Sequence, residues 1–292
     1  MFYTVVLPVG LAILFMLFLI WTGKSTPGQR APFYGRNFAH RGLHTPNKKT
    51  PENSLAAFEA ACLAGYGIEL DIQLTKEGEV VVFHDDDLKR VCGVEGRVDS
   101  FLLEELQQMR LEGTSQTIPL FAEVLALVDK RVPLIVELKT GPRNTLLCQK
   151  ALEILNGYEG DFCIESFDPR IVGWFKKNAK HILRGQLAAA PSQLKNGITG
   201  FIVGTLLCNF LGRPQFIAYG IGKVPFTASW AQTAAMKVCW TARPSNNTEE
   251  LQANNDAVIF EFYNPEPQYK TQQKPEEAPP ETEKINNPTD EA

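Results

Sequence analysis

Carboxylates recur in this sequence inside runs that are otherwise apolar. Glu69 and Asp71 sit two apart in Ile-Glu-Leu-Asp-Ile, and Glu137 sits in Leu-Ile-Val-Glu-Leu-Lys, with Lys139 two residues on. If these runs are strands, the period of two puts Glu69 and Asp71 on one face, and Glu137 and Lys139 on one face of theirs. Side-by-side carboxylates repel unless a proton or a cation intervenes. Three of them converging make a hard oxygen site suited to Mg²⁺ or Ca²⁺, and no His/Cys spacing suggests zinc. Taken singly, such an acid more often caps a helix or pairs with a lysine; the coincidence at successive strand ends favours the metal reading. Histidine is scarce, at His40, His44, His84 and His181. His40 closes Asn-Phe-Ala-His and His84 closes Val-Val-Phe-His, so both fall at strand C-termini, where they can serve as general base and general acid near neutral pH. Arg41 after His40 offers a planar fork for a phosphate, and Gly42 lets backbone approach closely. His44 and His181 lack such a setting and read as surface or packing residues.

The elements that must position these groups are short strands alternating with helices. Strands are expected at 37–40, 68–72, 80–84, 134–138, 162–167, 182–187, 216–219, 238–241 and 257–262. Helices are expected at 54–64 (Asn53 as N-cap, Gly65 as C′), 120–129, 145–156, 169–178 and 248–254. Such alternation argues for a parallel sheet, open or closed. Residues 31–264 have the length of one (β/α)8 barrel, about 200–250 residues. Nine strands are one too many. The stretch between Asp71 and Val80 is too short for a crossover helix, so 80–84 is either a barrel strand or an antiparallel extra turning at Glu77-Gly78.

The ends differ from the middle. Residues 2–22 carry no charged side chain and are expected to form an uncleaved transmembrane helix within an anchor and linker over 1–30, with Trp21 at the interface. Lys24, Arg30, Arg36, Arg41, Lys48 and Lys49 precede the first acid, Glu52, which places a single-pass protein's barrel in the cytoplasm. Residues 265–292 are rich in Pro, Glu, Asn and Thr and are expected to be a disordered acidic tail. The net charge is −4, and the seven acids and three lysines from Pro265 onward account for all of it. The remainder is balanced, without the basic footprint of a nucleic-acid binder. The six cysteines form no Cys-x-x-Cys pair and read as buried thiols in a reducing compartment. The apolar run 198–211 reads as a buried barrel helix or as a rim element touching the membrane.

With these residues in view, the stretch from Ala39 to Gly93 resembles the opening of the glycerophosphodiester phosphodiesterase family. Its marks occur here in order: His-Arg-Gly at 40–42, Pro-Glu-Asn-Ser at 51–54, Glu-Leu-Asp at 69–71, Thr-Lys-Glu-Gly at 75–78 and His-Asp at 84–85. Later segments, Ile118–Leu125, Val136–Lys139, Glu165–Pro169 and Cys239–Pro244, resemble the family as well. The resemblance implies a TIM-like barrel with one divalent cation, Mg²⁺ or Ca²⁺, held by Glu69, Asp71 and Glu137. It implies His40 and His84 as the acid/base pair, Arg41 and Lys139 on phosphate oxygens, Glu52 near the site, and Trp240 against the alcohol. The implied reaction is hydrolysis of a glycerophosphodiester to glycerol 3-phosphate and an alcohol through a cyclic phosphate. The alternatives are a phospholipase D-type activity on lysophospholipids and an inactive, membrane-tethered binding protein. The chain departs from the family at Phe260–Pro265, where Phe-Glu-Phe-Tyr-Asn-Pro replaces the usual Thr-Asp-Tyr/Phe-Pro ending.

Overall fold

In a computed structural model of the chain, residues 2–194 and 197–271 are described. The strands are β1 (Arg36–Ala39), β2 (Gly67–Leu74), β3 (Val80–Val82), β4 (Leu134–Leu138), β5 (Phe162–Ser166), β6 (Arg184–Ala188), β7 (Phe216–Gly220), β8 (Met236–Ala242) and β9 (Ala257–Phe260). The helices that position the site or the chain ends are α1 (Phe2–Ile20), α2 (Leu55–Ala64), α3 (Phe121–Val128), α4 (Asn144–Leu155), α5 (Pro169–Asn178), α6 (Gly197–Gly204), α7 (Asn209–Gly212), α8 (Phe226–Gln232) and α9 (Thr248–Asn254). The sheet order is β1-β9-β8-β7-β6-β5-β4-β2-β3, and a β1–β2 pairing closes it. Eight strands are parallel, and β3 alone runs antiparallel, with Ile72 opposite Val82. The fold is therefore a closed parallel barrel with helices, and 80–82 is the antiparallel extra. Residues 83–118 build a small apolar cluster of their own beside it, around Phe83, Leu88, Val98 and Ile118.

The period of two explains how the barrel can hold both a core and a polar site. Outward-facing Ile68, Leu70, Ile72, Leu134, Val136, Leu138 and Ile164 join the helices in the outer core. The alternate positions point inward. Their lower layers are apolar, with Phe38, Ile135, Cys163, Phe216, Val238 and Ile259 in one cluster. One step further along the same faces come His40, Glu137, Glu165, Trp240 and Glu261. The interior interleaves large and small residues. A Cβ on Gly185 would lie 2.1 Å from the Phe216 ring, and one on Gly67 would lie 2.4 Å from the Phe38 ring. Both rings are fully buried. Gly185→Ala is expected to destabilise the fold by about 1–3 kcal/mol, as overpacking does, read by chemical denaturation. A loss below about 0.5 kcal/mol, the scale of an inert surface change, would mean that Phe216 is free to move aside.

Local capping follows the sequence with one correction. Gly65 ends α2 in the left-handed region at φ +76°, but Ser54, not Asn53, is the N-cap, accepting from the Ala57 N–H. Asn53 is itself left-handed, at φ +51°, and its amide turns into the site. The run 198–211 divides into α6 and α7. Val203, Leu206 and Cys208 are buried, while Ile198, Phe201, Ile202 and Leu211 are exposed. All six cysteines are free thiols.

The transmembrane anchor expected from sequence needs correcting. Among the described residues, no helix is long and apolar enough to cross a membrane. α1 has 19 residues. Its last turn is committed to the barrel. Ile20 is buried against α7 and α8 neighbours, Asn209 Nδ2 donates to the Ile20 carbonyl at 3.0 Å, and Arg213 Nη1 donates to the Phe18 carbonyl at 2.7 Å. At the other end, residues 265–270 pack along the N-terminal rim. Asn37 N–H donates to the Pro267 carbonyl and Tyr269 N–H to the Gly35 carbonyl. The tail expected to be disordered lies outside the described residues from 272 onward.

Candidate active site

β1 and β2 deliver the first half of the site. His40 follows the last residue of β1, and its N–H donates to the Phe260 carbonyl at 2.9 Å, which fixes the backbone at the rim. Its Nε2 lies 4.0 Å from Glu69 Oε2, and its Nδ1 lies 2.9 Å from Glu261 Oε2. Arg41 is left-handed at φ +54°, so its N–H turns inward to Glu69 Oε2 at 3.0 Å. Gly42, at φ +79°, must be glycine: a Cβ there would lie 2.9 Å from Ala57.

Asp71 pairs in register with Glu137, and Glu137 with Glu165. Three neighbouring strands thus bring buried carboxylates to one level. Glu69, Asp71 and Glu137 offer one oxygen each within 4.8 Å of one another. Burial, then the charges of Asp71, Glu165 and Glu137, holds the Glu69 carboxyl well above its ordinary range. Burial raises Glu137 and Glu165 too. Asp71 goes the other way: Lys139, His84 and Arg41 outweigh burial and hold it well below its ordinary range. Lys139 Nζ sits 3.3 Å from Asp71 Oδ1 and 3.0 Å from Glu137 Oε1. Asn53 Nδ2 donates to Asp71 Oδ2 at 2.8 Å. Glu165 Oε2 is buried without a hydrogen-bond partner. Crowded acid oxygens, one of them orphaned, fit a hard divalent cation. The second gathering, His40, His44 and Glu261, fits one poorly, because Arg243 already pairs with Glu261.

His84 follows β3. The hairpin that carries it is short enough to bring it over the end of β2, where Phe83 N–H donates to the Asp71 carbonyl at 2.9 Å. Its Nδ1 lies 2.6 Å from Asp85 Oδ1. Arg90 Nη1 and Nη2 reach Glu52 at 2.9 and 2.6 Å, and the same guanidinium holds Asp85. Arg41 Nη1 donates to Glu52 Oε1 at 2.7 Å, so Glu52 ties the two histidine-bearing loops together. Burial works to raise Glu52, but the Arg90 and Arg41 contacts prevail and hold it at about 2. A folded pKa below the unfolded one adds stability that is present above about pH 4.5 and lost as the pH falls through about 2. Glu52→Gln is expected to cost on the order of 2 kcal/mol at pH 7, discounted for the half-exposed Arg90, and much less at pH 3. Urea unfolding at both values checks it; an equal cost at both would show that the charge is not what Glu52 contributes.

Both imidazoles open on one cavity of about 210 Å³. Its polar wall is His40, Arg41, His84 and Arg243, its floor includes Glu69, Glu137 and Glu165, and its apolar wall is Phe167, Leu187, Trp240 and Ile259. Trp240 stands edge-on to Phe167 at 5.7 Å, and its indole N–H donates to the Ala218 carbonyl. Burial lowers His40 to about 4, outweighing its hydrogen bond to Glu261. His40 is therefore a neutral, proton-accepting imidazole at pH 7.

Of the residues selected from sequence, His40, Arg41, Glu69, His84, Glu137 and Trp240 line this cavity. Asp71 lies fully buried beside Glu137, and Lys139 stands behind the acids. His44 is a packing residue, as its sequence setting suggests: it packs edge-on to Phe262 at 5.0 Å, with Nε2 3.6 Å from Glu261 Oε2, and so flanks the site. Glu165, Arg90, Arg243 and Glu261 were missed. Glu165 carried a signal, being an acid in the apolar strand Phe-Cys-Ile-Glu-Ser like Glu137 in its own.

The family model described as "Glycerophosphoryl diester phosphodiesterase family" matches residues 40–263. The chain is 37% identical over 161 residues to the glycerophosphodiester phosphodiesterase of Caldanaerobacter subterraneus subsp. tengcongensis, covering 51% of this chain and 65% of that one. It is 34% identical over 140 residues to lysophospholipase D GDPD1 of Rattus norvegicus, covering 44% and 43%. The chain thus spans less than two thirds of the length of these curated relatives. Among solved structures, an Oleispira antarctica phosphodiesterase in complex with the product sn-glycerol-3-phosphate superposes with a TM-score of 0.64 at 21% identity, covering 78% of this chain and 93% of that one. A glycerophosphodiester phosphodiesterase from Parabacteroides distasonis superposes at 0.61 with the same identity and coverage. At such identities the likeness establishes the barrel fold.

Proposed function

Because this chain belongs to the glycerophosphoryl diester phosphodiesterase family, we propose that it hydrolyses a glycerophosphodiester to glycerol 3-phosphate and an alcohol. The observation that carries the reading is the pair of imidazoles, His40 and His84, on one cavity whose floor is a group of buried carboxylates. Arg41, on the cavity wall, is the cation at hand for the phosphoryl oxygens, and Lys139, paired with Asp71 and Glu137, is its proposed partner there. His40, neutral at its Nε2, accepts the proton of the substrate's own glycerol hydroxyl as that oxygen attacks phosphorus. His84 donates a proton to the departing alcohol oxygen as the P–O bond breaks. A cyclic phosphate results. The roles then reverse: His84 takes a proton from water, and His40 returns one to the ring oxygen that leaves. Glu69, Asp71 and Glu137 would hold one Mg²⁺ or Ca²⁺, which when bound supplies charge neutralisation at the phosphodiester. Trp240 and Phe167 offer the alcohol an apolar wall.

The full chain is to be assayed against glycerophosphocholine, glycerophosphoethanolamine and lysophosphatidylcholine with Mg²⁺, Ca²⁺ or EDTA. Turnover of no diester would leave the binding-protein reading. Preference for the lysophospholipid would favour the phospholipase D-type reading, which the apolar wall and the GDPD1 relatives recommend.

Membrane association belongs to the same proposal in a narrower form: the barrel, on the cytoplasmic side, attaches to a lipid surface without a transmembrane span. Leu7, Leu11, Leu14 and Phe15 of α1 are exposed, and an exposed apolar helix face of this kind suits the boundary of a lipid surface. The full chain is expected to float with lipid vesicles, and a Leu7→Ser, Leu11→Ser, Leu14→Ser variant to remain in the aqueous fraction. Equal flotation of both would remove the attachment.

A further inference from the structure

We infer that Glu261 is the positioning residue for His40: its carboxylate accepts the Nδ1 proton, so that Nε2 carries the lone pair and faces the carboxylate floor. The inference rests on the reading of His40 as general base. Backbone register makes the pair. Ala39 lies opposite Phe260 in the β1–β9 ladder, so the next residue of each strand, His40 and Glu261, emerges side by side into the barrel mouth. The His40 N–H is bound to the Phe260 carbonyl, and the Glu261 N–H to the Ala242 carbonyl at 2.9 Å. Both backbones are thus held before the side chains meet.

The carboxylate is itself prevented from turning. Oε2 faces His40 Nδ1 at 2.9 Å, while Oε1 is taken by Arg243 Nε from the end of β8. Glu261 is buried, so its hydrogen bonds work in a poorly solvated setting where they are strong. His44 approaches the same Oε2 at 3.6 Å, too far for a hydrogen bond. With Nδ1–H tied down, His40 presents Nε2 4.0 Å from Glu69 Oε2, inside the cavity where a substrate hydroxyl would stand. A ring nitrogen's role is set by the bond the other nitrogen makes.

The alternative is an ion pair between Arg243 and Glu261 that merely shapes the rim, and two measurements separate them. In the full chain labelled with ¹⁵N-histidine, long-range ¹H–¹⁵N correlation reads the His40 tautomer, assigned by the signal lost in His40→Gln. The wild type is expected in the Nδ1–H form, and Glu261→Ala is expected to lose that preference. A wild-type Nε2–H form overturns the inference whether or not the protein turns over a diester. In kinetics, Glu261→Gln is expected to lower kcat by about 10- to 100-fold, the scale of a lost orienting partner, with KM within about threefold. Glu261→Asp is expected to recover part of the loss. An unchanged kcat with a raised KM would show that Glu261 serves only to hold Arg243, and would overturn the inference. Should the wild type turn over no diester, the functional reading fails while the tautomer still decides this one.

Discussion

His40→Ala is expected to lower turnover of glycerophosphodiesters by about 10²- to 10⁴-fold, the usual contribution of a positioned acid or base, with the fold retained. The scale follows from the environment of the ring. Its Nε2 faces the site, its Nδ1 is engaged by Glu261, and burial keeps the imidazole neutral, so it is ready to accept a proton at pH 7. No nearby group replaces it. His44 approaches the same Glu261 oxygen at 3.6 Å but does not line the cavity, and Glu69 Oε2 is already bound by the Arg41 N–H. The folding cost is small because Arg243 still neutralises Glu261 when the imidazole is gone. Steady-state kinetics with circular dichroism of the variant checks this. A loss below tenfold in a folded variant would remove His40 from the proton transfer.

Removal of divalent cations is the second large effect. Treatment with EDTA is expected to bring turnover to background, and Mg²⁺ or Ca²⁺ to restore it, with a rise in Tm. The rise reports binding to the folded state alone, and the stabilisation behind it is about 2.7 kcal/mol at a hundred times Kd. Its pH dependence has a definite sign. Glu69, Glu137 and Glu165 have folded pKa values above their ordinary one because burial and one another oppose ionisation. Below about pH 4.5 these acids are protonated in both folded and unfolded chains, and cost nothing. As pH rises through that range only the unfolded chain ionises freely, so the cation-free fold loses stability. A bound cation favours the ionised carboxylates and offsets that loss, so the Tm difference between loaded and cation-free protein is expected to widen as pH rises. Asp71, held low by Lys139, His84 and Arg41, contributes in the opposite sense and is already ionised. Full turnover in EDTA, or a Tm indifferent to both cations, would remove the metal assignment.

Two differences between expectation and structure have simple causes. α1 looks like a span because none of its residues is charged, yet hydropathy cannot tell a side chain facing lipid from one packed on the same chain. Ile20 and Leu19 pack on the barrel. Asn53 looked like a helix cap because it is a capping residue type just before an apolar helical run. At φ +51° its amide turns instead to Asp71.

The chain's own order of residues determined the alternation of strands and helices, the pairing of Glu69 with Asp71 on one face, the rim positions of His40, His84 and Glu137, and the Gly65 helix end. Each of these is local: strand period, strand termini and backbone preference are written within a few consecutive residues. Tertiary structure alone decided that Arg90 and Glu52 tie the two histidine loops together, that Asn53 leaves the cap for Asp71, and that Glu261 stands behind His40. Those partners lie 18 to 221 residues from the groups they pair with, brought beside them by the β1–β2 and β1–β9 pairings that close the barrel and by the loop after β3. Closure is a property of all eight strands together, so the order of residues within any one of them carries no sign of which side chain will face it.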